Sequence, residues 1–326
     1  MANSSLLLNL DFCYKKSILP YKNKTTFLIS SLFSHFDSFC MQKILIPVDF
    51  SKPSEAALKY ALHFAQVIGA EIILLHVACA PLPSATNYHL HVGLLKEEIE
   101  KGKAKLAEYI NQFSELTYLD GSGKLKITPV LESENGIIPS IEKISKEYGA
   151  FLVVMGTHGM TRAEEILLGS VTADIIASKD TPAVLAIPED AKFAKWERIV
   201  YAADFSDKDK KVIDILLELA SYFPNARVDY LHISNEKEYV EDIDRLYKLK
   251  NAFRNIPVSM LDFRFRENDD LDEGIDNYLD NYETSVLVML THHRSFFESL
   301  WHRSKAKEIS FHTEVPLLVL KTQDLK

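Results

Sequence analysis

Three glycines and a serine in one short stretch carry the strongest chemical signal of this 326-residue chain. Gly156, Gly159 and Gly169 follow the apolar run 151–155 in the spacing G-x-x-G, nine residues, G-S, in which the serine is Ser170. Because glycine has no Cβ, backbone N–H groups in such a loop can lie directly against a phosphate. The pattern therefore predicts a phosphate-binding loop at the end of a buried strand.

The residues that follow Gly169 predict a helix that starts at the same place. Ser170 is a favourable N-cap residue, and Val171 and Ile175 begin an apolar pattern of helical spacing that runs to position 179. The unbonded N–H groups of a helix start attract anions, so they would strengthen the hold on a phosphate. The alternative is that the glycines only form a turn and a loop, without a ligand. The full spacing, directly after an apolar strand, favours a nucleotide.

The G-x-x-G-x9-G-S spacing resembles the nucleotide signature of the ATP-binding branch of the universal stress protein family. Two further segments resemble that family. MQKILIPVDFS at 41–51 is similar to its first strand and turn, and LLHV at 74–77 is similar to the end of its second strand. The resemblance covers residues 41–190. It implies that ATP lies across the carboxyl ends of parallel strands, where doubly wound sheets generally place ligands.

The resemblance also implies roles for single residues. It suggests that Asp49 accepts hydrogen bonds from the ribose or helps to hold Mg²⁺, and that the backbone of Val77 meets the adenine edge. Asp49 has a second interpretation, as an acceptor in the turn that caps the next helix, with Ser51 and Pro53 supporting the helix start. His158 can reach the phosphates or be a solvated loop histidine. The expected nucleotide-binding residues are Pro47, Asp49, Val77, Met155, Gly156, His158, Gly159, Gly169, Ser170, Val171 and Thr172.

Apolar runs of strand length alternate with helical patterns from position 41 onward, which predicts parallel strands joined by right-handed crossovers. Pro47 falls within the first run, so that strand must tolerate a missing N–H near its end. In the first unit the predicted strands are 44–48, 72–77, 125–130, 151–155 and 183–187, and the predicted helices are 54–67, 94–113, 137–148 and 171–179.

The same α/β unit occurs twice. KILIPVDFS at 43–51 matches RIVYAADFS at 198–206, and MGTH at 155–158 matches MLTH at 289–292. The offset between the copies falls from 155 positions at the first match to 134 at the second, so the second copy is about twenty residues shorter. The predicted fold is therefore α/β, with two tandem doubly wound parallel-sheet domains that are Rossmann-like. The resemblance to the universal stress protein family implies that they are also adenine nucleotide alpha hydrolase-like. The expected domains span 41–190 and 196–322.

The second copy lacks the glycines. Leu290, His293 and Arg303 stand at the three glycine positions, and only the serine is kept, as Ser304. Side chains at these positions would fill the space in which a phosphate approaches the backbone. We therefore expect a degenerate second domain and one ATP per chain.

Composition narrows the class of protein. A net charge of -9 argues against a nucleic-acid binder, which needs a basic face, and the absence of an apolar run of eighteen residues argues against a membrane protein. Three cysteines do not form a disulfide framework, so a reducing cytoplasm is the expected location. Residues 1–40 fit neither domain nor a signal peptide. We expect a disordered leader or a misplaced start before Met41, with a partly helical extension as the alternative.

The sequence thus predicts a cytoplasmic, ATP-binding stress protein that is regulatory rather than a fast catalyst, because no general base or arginine finger accompanies the glycine loop. Two alternatives stay open: a nucleotide-independent interaction scaffold and a slow adenine-nucleotide hydrolase. The expected partners are ATP, with or without Mg²⁺, and an unidentified protein. The two domains are expected to pair as a pseudo-dimer within one chain, and whole chains can pair further as a homodimer.

Overall fold

The computed structural model describes residues 42–80, 88–133, 136–157, 169–235, 239–291, 315–322 and 325. In these ranges strands alternate with helices, which confirms the predicted α/β class. The strands are β1 (Lys43–Pro47), β2 (Glu71–Val77), β3 (Ile127–Glu132), β4 (Ala150–Gly156), β5 (Ala183–Ile187), β6 (Arg198–Ala202), β7 (Arg227–Ser234), β8 (Leu261–Glu267), β9 (Val286–Leu290) and β10 (Leu317–Leu320). The helices are α1 (Lys52–Ile68), α2 (Tyr88–Phe113), α3 (Ile137–Tyr148), α4 (Ser170–Ala177), α5 (Asp209–Ser221), α6 (Tyr239–Ala252) and α7 (Leu271–Asn281).

The predicted elements of the first unit lie close to the observed ones. The helix predicted at 137–148 and the strand predicted at 183–187 have the observed bounds of α3 and β5. The strand predicted at 125–130 begins two residues later, as β3. Leu125 is buried although it precedes the strand. It lies in the turn before β3, where its N–H donates to the Leu116 carbonyl at 2.8 Å.

The ten strands form one sheet in the order β3-β2-β1-β4-β5-β10-β9-β6-β7-β8. Neighbouring strands are parallel except β5 and β10, which pair antiparallel. Strands β1 to β5 therefore have the order 3-2-1-4-5, and β6 to β10 repeat that order in reverse. The antiparallel pair joins the two halves into one continuous sheet. The expected domain bounds, 41–190 and 196–322, stay predictions.

The order of the first half reverses direction between β1 and β4, which lie side by side. From β1 the chain proceeds outward through β2 to β3, and it then returns to continue from β4 to β5. The helices that follow β1 and β4, α1 and α4, pack on opposite faces of the sheet, and doubly wound sheets generally have a ligand-binding crevice at the carboxyl ends of two such strands. The turn that contains Asp49 and the glycine loop that begins at Gly156 both start at this crevice.

Helices cover both faces of the sheet, because alternate strand residues point to opposite sides. Ile44 and Ile46 of β1 belong to the core under α1, α2, α5 and α6, whereas Leu45 belongs to the core under α3, α4 and α7. Pro47 ends β1 beyond its last residue paired with β4, so its missing N–H removes no bond from that ladder. The sheet is thus buried on both sides, as parallel sheets require.

Trp196 ties the two halves together on one face. It lies in the segment that joins β5 to β6 and is 1% exposed. Its Nε1–H donates to the Tyr60 hydroxyl of α1 at 2.8 Å, and its ring stacks on Phe223, with centroids 5.2 Å apart. The segment that joins the two halves of the sheet therefore contains a buried anchor.

The second half buries a carboxylate beside two tyrosines whose equivalents in the first half are aliphatic. Asp209, at the start of α5, is 1% exposed and accepts hydrogen bonds from the hydroxyls of Tyr201 at 2.8 Å and Tyr230 at 2.5 Å. The strand register pairs Tyr201 with Tyr230, and the equivalent pair of the first half is Ile46 and Leu74. Burial is the main reason that the pKa of Asp209 rises from 3.8 to about 6.

We expect the stability of the protein to depend on Asp209 between about pH 4 and pH 6. Because the folded state binds a proton more tightly than the unfolded state, stability due to this group is complete below pH 3.8 and is lost as the pH rises through about 6. The Asp209→Asn variant lacks this loss. Relative to wild type, its free energy of unfolding should rise by on the order of 2 kcal/mol between pH 4 and pH 7 in urea titrations. A constant difference across that range would contradict the assignment.

Candidate functional site

The turn after β1 uses the carboxylate of Asp49. Its Oδ1 accepts hydrogen bonds from the Ser51 N–H at 3.0 Å and the Ser51 hydroxyl at 2.5 Å. Ser51 in turn is the N-cap of α1, accepting from the Ser54 N–H at 3.4 Å, and Pro53 occupies the first turn. Oδ1 of Asp49 therefore has the role that the turn interpretation gives to this residue. The ribose or magnesium role stays a prediction.

Phe50, between Asp49 and Ser51, has a backbone φ of +63°, which is rare for a bulky residue. Its ring packs against His76, with centroids 4.5 Å apart, and Lys105 Nζ of α2 lies 4.7 Å from the ring centroid. The equivalent Phe205 has a φ of +60° and packs on His232 at 4.1 Å. Strain of this kind costs on the order of 1–2 kcal/mol, and the same aromatic packing offsets it in both halves.

The hydrogen bonds of β2 show which way its last residue faces. The Leu75 carbonyl accepts from the Val48 N–H at 2.8 Å, on the β1 side. The Ala78 N–H donates to the Glu132 carbonyl at 2.7 Å, on the β3 side. Because these directions alternate along a strand, Val77 turns its N–H and C=O toward β1.

The β1 side of Val77 lies beyond the paired part of β1. The pairing of β1 with β2 ends at Pro47, two residues before the strand could reach Val77. The next carbonyl, that of Val48, lies 2.8 Å from His76 Nδ1, which must carry the proton because a carbonyl can only accept. The peptide groups of Val77 thus face the crevice at the end of β1. His76 is not among the residues predicted from the sequence, although LHV at 75–77 and LHI at 231–233 both contain the histidine.

Gly156 ends β4 and is buried against the start of α1. A Cβ at this position would lie 2.8 Å from the Pro53 carbonyl oxygen, a backbone atom that cannot easily move. The absence of a side chain at Gly156 therefore has a packing cause within the protein, besides any role toward a phosphate. The contact also holds the turn after β1 directly against the end of β4. Met155, the preceding residue, is 6% exposed and packs in the core.

The start of α4 is tied to the end of β4 by two hydrogen bonds. The Gly169 N–H donates to the Thr157 carbonyl, and the Thr172 hydroxyl donates to the Gly156 carbonyl at 2.8 Å. Thr172 is 3% exposed. The two ends of segment 158–168 are thus fixed next to each other. His158 and Gly159 lie in that segment, outside the described residues.

The N-cap of α4 is Gly169, so the prediction that Ser170 is the N-cap was wrong by one position. Gly169 has φ −59° and ψ 149°, and no side chain caps the helix. The hydrogen bond from the Gly169 N–H to the Thr157 carbonyl fixes Gly169 at the helix start. The helix therefore begins one residue earlier than the N-cap preference of serine suggests. Ser170, Val171 and Thr172 are therefore the first three helical residues, whose N–H groups have no acceptor within the helix.

The opposite end of α4 is capped from the other half of the chain. Lys321 follows β10, is 2% exposed, and donates from Nζ to the carbonyls of Ile175 at 3.0 Å and Ser178 at 2.8 Å, and to that of Ile176. A buried ammonium at the carboxyl end satisfies carbonyls that the helix leaves unpaired. Lys321 is not among the residues predicted from the sequence, because its partners lie about 145 positions away. A lysine directly after the apolar run LLVL was the available signal.

The second half keeps the turn and the histidine but fills the glycine position. His232 Nδ1 donates to the Ala203 carbonyl at 2.8 Å, as His76 does in the first half. Leu290, at the position of Gly156, is fully buried. His293 and Arg303, at the other two glycine positions, lie outside the described residues. The crevice of the second half thus differs from the first in the residue that ends its fourth strand.

Among the residues that the structure describes, no group of three or more histidine, cysteine, aspartate or glutamate side chains is placed to hold a metal ion. In the same ranges, no helix has both the length and the apolar character needed to cross a membrane.

The first half of the chain is similar in sequence to known proteins. The model of the Universal stress protein family matches residues 41–186. Universal stress protein MJ0531 of Methanocaldococcus jannaschii is 32% identical over 151 residues, which cover 44% of this chain and 81% of that protein. Universal stress protein MJ0577 of the same organism is 28% identical over 155 residues, 45% of this chain and 96% of that protein.

A solved structure extends the likeness to both halves. The crystal structure of a universal stress protein from Archaeoglobus fulgidus covers 88% of this chain and 99% of its own, with a TM-score of 0.61 and 18% identity. At that identity the likeness concerns the fold alone. The sequence matches to the first half, together with this shared fold, establish that the chain belongs to the universal stress protein family.

Proposed function

We propose that this protein binds one ATP in the crevice between β1 and β4 and acts as a nucleotide-dependent regulatory protein. The observation that carries the proposal is the tie between the Gly169 N–H and the Thr157 carbonyl. It holds the start of α4 beside the end of β4, at the reversal point of the sheet. A helix start with free N–H groups at such a point is a favourable place for a phosphate.

The residues around the crevice suit the parts of ATP. The N–H groups of Ser170, Val171 and Thr172 would donate hydrogen bonds to the phosphates. The loop that contains His158 and Gly159 would bind the phosphates together with them. Val77 supports a base at the other end, because its peptide groups face the crevice beyond the last paired residue of β1. When bound, ATP would supply charge and bulk that stabilise one arrangement of the loop 158–168. In this proposal ATP acts by being bound and not by being converted.

Fewer of the predicted residues suit Mg²⁺ than suit ATP. Asp49 is the carboxylate of the β1 turn, and its Oδ1 already accepts two hydrogen bonds from Ser51. Magnesium usually takes most of its ligands from water and substrate phosphates, with one or two carboxylates from the protein. Asp49 could contribute a single ligand of that kind, and the ribose remains its other proposed partner.

Binding rather than fast turnover is proposed because the titratable groups of the β1 and β2 ends are already used. Asp49 holds the turn and His76 donates to the Val48 carbonyl, so neither is available as an unconstrained general base. ATP would then act by stabilising one arrangement of the loop that partners can distinguish. The partner protein and the cytoplasmic location remain expectations from the sequence.

The Gly159→Val variant is expected to lose ATP binding while keeping its melting temperature. A β-branched side chain blocks the approach of a phosphate to the backbone and restricts the loop conformation. Calorimetric titration with Mg-ATP measures the affinity and the stoichiometry, for which we expect one site per chain. In wild type, ATP at a hundredfold its Kd should add about 2.7 kcal/mol to the free energy of unfolding.

Gly93→Val is the matched control, because the position of a Cβ at Gly93 in α2 is open space. It should bind ATP as wild type does. Unchanged affinity in Gly159→Val, or two equivalent sites per chain, would contradict the proposal. Mass spectrometry of nucleotide released from freshly purified protein identifies which adenine nucleotide the site prefers.

A second candidate function is a nucleotide-independent interaction scaffold. The close approach of Gly156 to the Pro53 carbonyl favours it, because that contact explains one of the three glycines without a ligand. A wild-type protein that gains no stability from Mg-ATP would support the scaffold. A slow ATP turnover in a long incubation would support the hydrolase alternative instead.

A further inference from the structure

A pocket of about 370 Å³ lies between the end of β8 and helix α7, in the second half of the chain. Its volume is at the lower end of the range that binds small molecules. The residues that line it carry a guanidinium, a carboxylate, three side-chain amides and a phenol hydroxyl, from Arg266, Glu267, Asn268, Asn277, Asn281 and Tyr282. These groups suit a small polar ligand.

The equivalent place in the first half is closed by an ion pair. Glu132 of β3 is the equivalent of Arg266 of β8 by strand register. Their paired neighbours on the second strand of each half are Val77 and Ile233, the last residues of the matching segments LHV and LHI. The Glu132 carboxylate lies 2.9 Å from the Lys143 ammonium of α3, measured from Oε1 to Nζ. Two opposite charges thus satisfy each other between the third strand and the helix that follows it.

The second half reverses the charge of the strand residue and removes the charge of the helix residue. Asn277 of α7 stands where α3 has Lys143, at the offset of 134 positions that relates the two copies in this region. Arg266 donates from Nη1 to the Phe265 carbonyl at 2.9 Å and from Nη2 to the Tyr282 hydroxyl at 3.3 Å. Both acceptors are uncharged, and they use two of the five N–H donors of a guanidinium.

The neighbouring arginines on this side of the sheet have carboxylate partners. Arg227 Nη2 lies 2.6 Å from Asp229 Oδ1. Arg264 Nη2 lies 2.6 Å from Asp262 Oδ2. Arg266 forms no such salt bridge within the part of the chain that the structure describes. Its positive charge is therefore not neutralised by any described side chain.

The aspartates of α7 do not supply the missing anion. Asp272, Asp276 and Asp280 follow one another at intervals of four, so they share one side of the helix. None of the three lines the pocket, whereas Asn277 and Asn281 do. The pocket thus combines a cation with amide groups, which donate and accept hydrogen bonds without a charge of their own.

We propose that this pocket binds a small organic carboxylate that also carries a hydroxyl group. The planar guanidinium of Arg266 matches the geometry of a carboxylate, and the asparagine amides can donate to the same ligand. The exposed carboxylate of Glu267 only accepts hydrogen bonds, so the part of the ligand beside it must be a donor, which a hydroxyl provides. The site is separate from the crevice between β1 and β4, because β8 is the outer strand at the other half of the sheet.

Calorimetric titration of the full chain with malate, in low-salt buffer, tests the proposal. We expect one site per chain, with the same affinity in the presence and absence of Mg-ATP. The Arg266→Gln variant should bind malate more weakly by about tenfold or more, because it loses a charge-assisted hydrogen bond. Arg254→Gln is the matched control, since it makes the same change of charge at an exposed arginine outside the pocket. It should bind malate as wild type does.

The double variant Arg266→Glu, Asn277→Lys separates loss of the ligand from loss of the fold. It places the ion pair of the first half in the second half, so it should keep the melting temperature of wild type and lose malate binding. A wild-type protein that does not bind malate, or unchanged affinity in Arg266→Gln, would overturn the proposal.

Two further probes test the chemistry of the ligand. Succinate lacks the hydroxyl of malate and should bind more weakly, whereas equal affinity would overturn the assignment of a hydroxyl-bearing ligand. Inorganic phosphate offers an anion without a carboxylate and should also bind more weakly than malate. Tighter binding of phosphate would overturn the assignment of a carboxylate.

Discussion

Asp229→Ala is expected to lower the free energy of unfolding by roughly 3–5 kcal/mol. Asp229 of β7 is completely buried and accepts hydrogen bonds from Arg227 Nε at 2.8 Å, from the Tyr278 hydroxyl at 2.8 Å, and from Arg198. Removing the carboxylate leaves two half-buried guanidinium groups and a buried hydroxyl without their acceptor. Urea denaturation followed by circular dichroism measures the loss.

Asp262→Ala is the matched control in the same network. Asp262 pairs with Arg227 at 3.1 Å and Arg264 at 2.6 Å, but its side chain is 17% exposed, so water can replace part of what is lost. We expect a loss below about 2 kcal/mol for this variant. An equal loss in the two variants would mean that burial of Asp229 is not what gives the network its strength.

Lys321→Met is the second variant for which we expect a large effect, on the order of 3 kcal/mol of unfolding free energy. Methionine has a similar length, so packing is largely kept while the ammonium is lost. The carbonyls of Ile175, Ile176 and Ser178 then lose a shared donor in a place that water reaches poorly. Because this lysine joins the last strand to α4, the variant should also weaken the hold of the second half on the proposed nucleotide site.

Lys146→Met tests whether the effect is specific to burial. Lys146 makes an ion pair with Asp180 at 2.5 Å, but both side chains are largely exposed, at 62% and 59%. Pairs of this kind contribute roughly 0–1 kcal/mol. Limited proteolysis near α4, alongside urea denaturation, should show increased cleavage in Lys321→Met and none in Lys146→Met. Similar behaviour of the two variants would contradict a capping role for Lys321.

The sequence by itself determined the α/β class, the positions of most strands and helices of the first half, and the repeat of the DFS turn. These features depend on local periodicity and on short matching segments, which a single chain displays directly. The observed turn at Ser51 and Pro53 followed from the same kind of local preference, because N-cap and first-turn residues act on their own neighbours. The apolar run before the glycines likewise indicated a buried strand, which the structure shows as β4.

Only the tertiary structure decided what several of these residues contact. The Cβ that Gly156 lacks would meet the Pro53 carbonyl, and Lys321 caps a helix that lies about 145 positions earlier. The buried carboxylate of Asp209 lies between two tyrosines on neighbouring strands. Each of these contacts joins segments that are distant in the chain, so its energy depends on how strands and helices are placed in space. Local periodicity carries no information about that placement, and this is why the sequence could indicate the strands and helices but not the contacts between them.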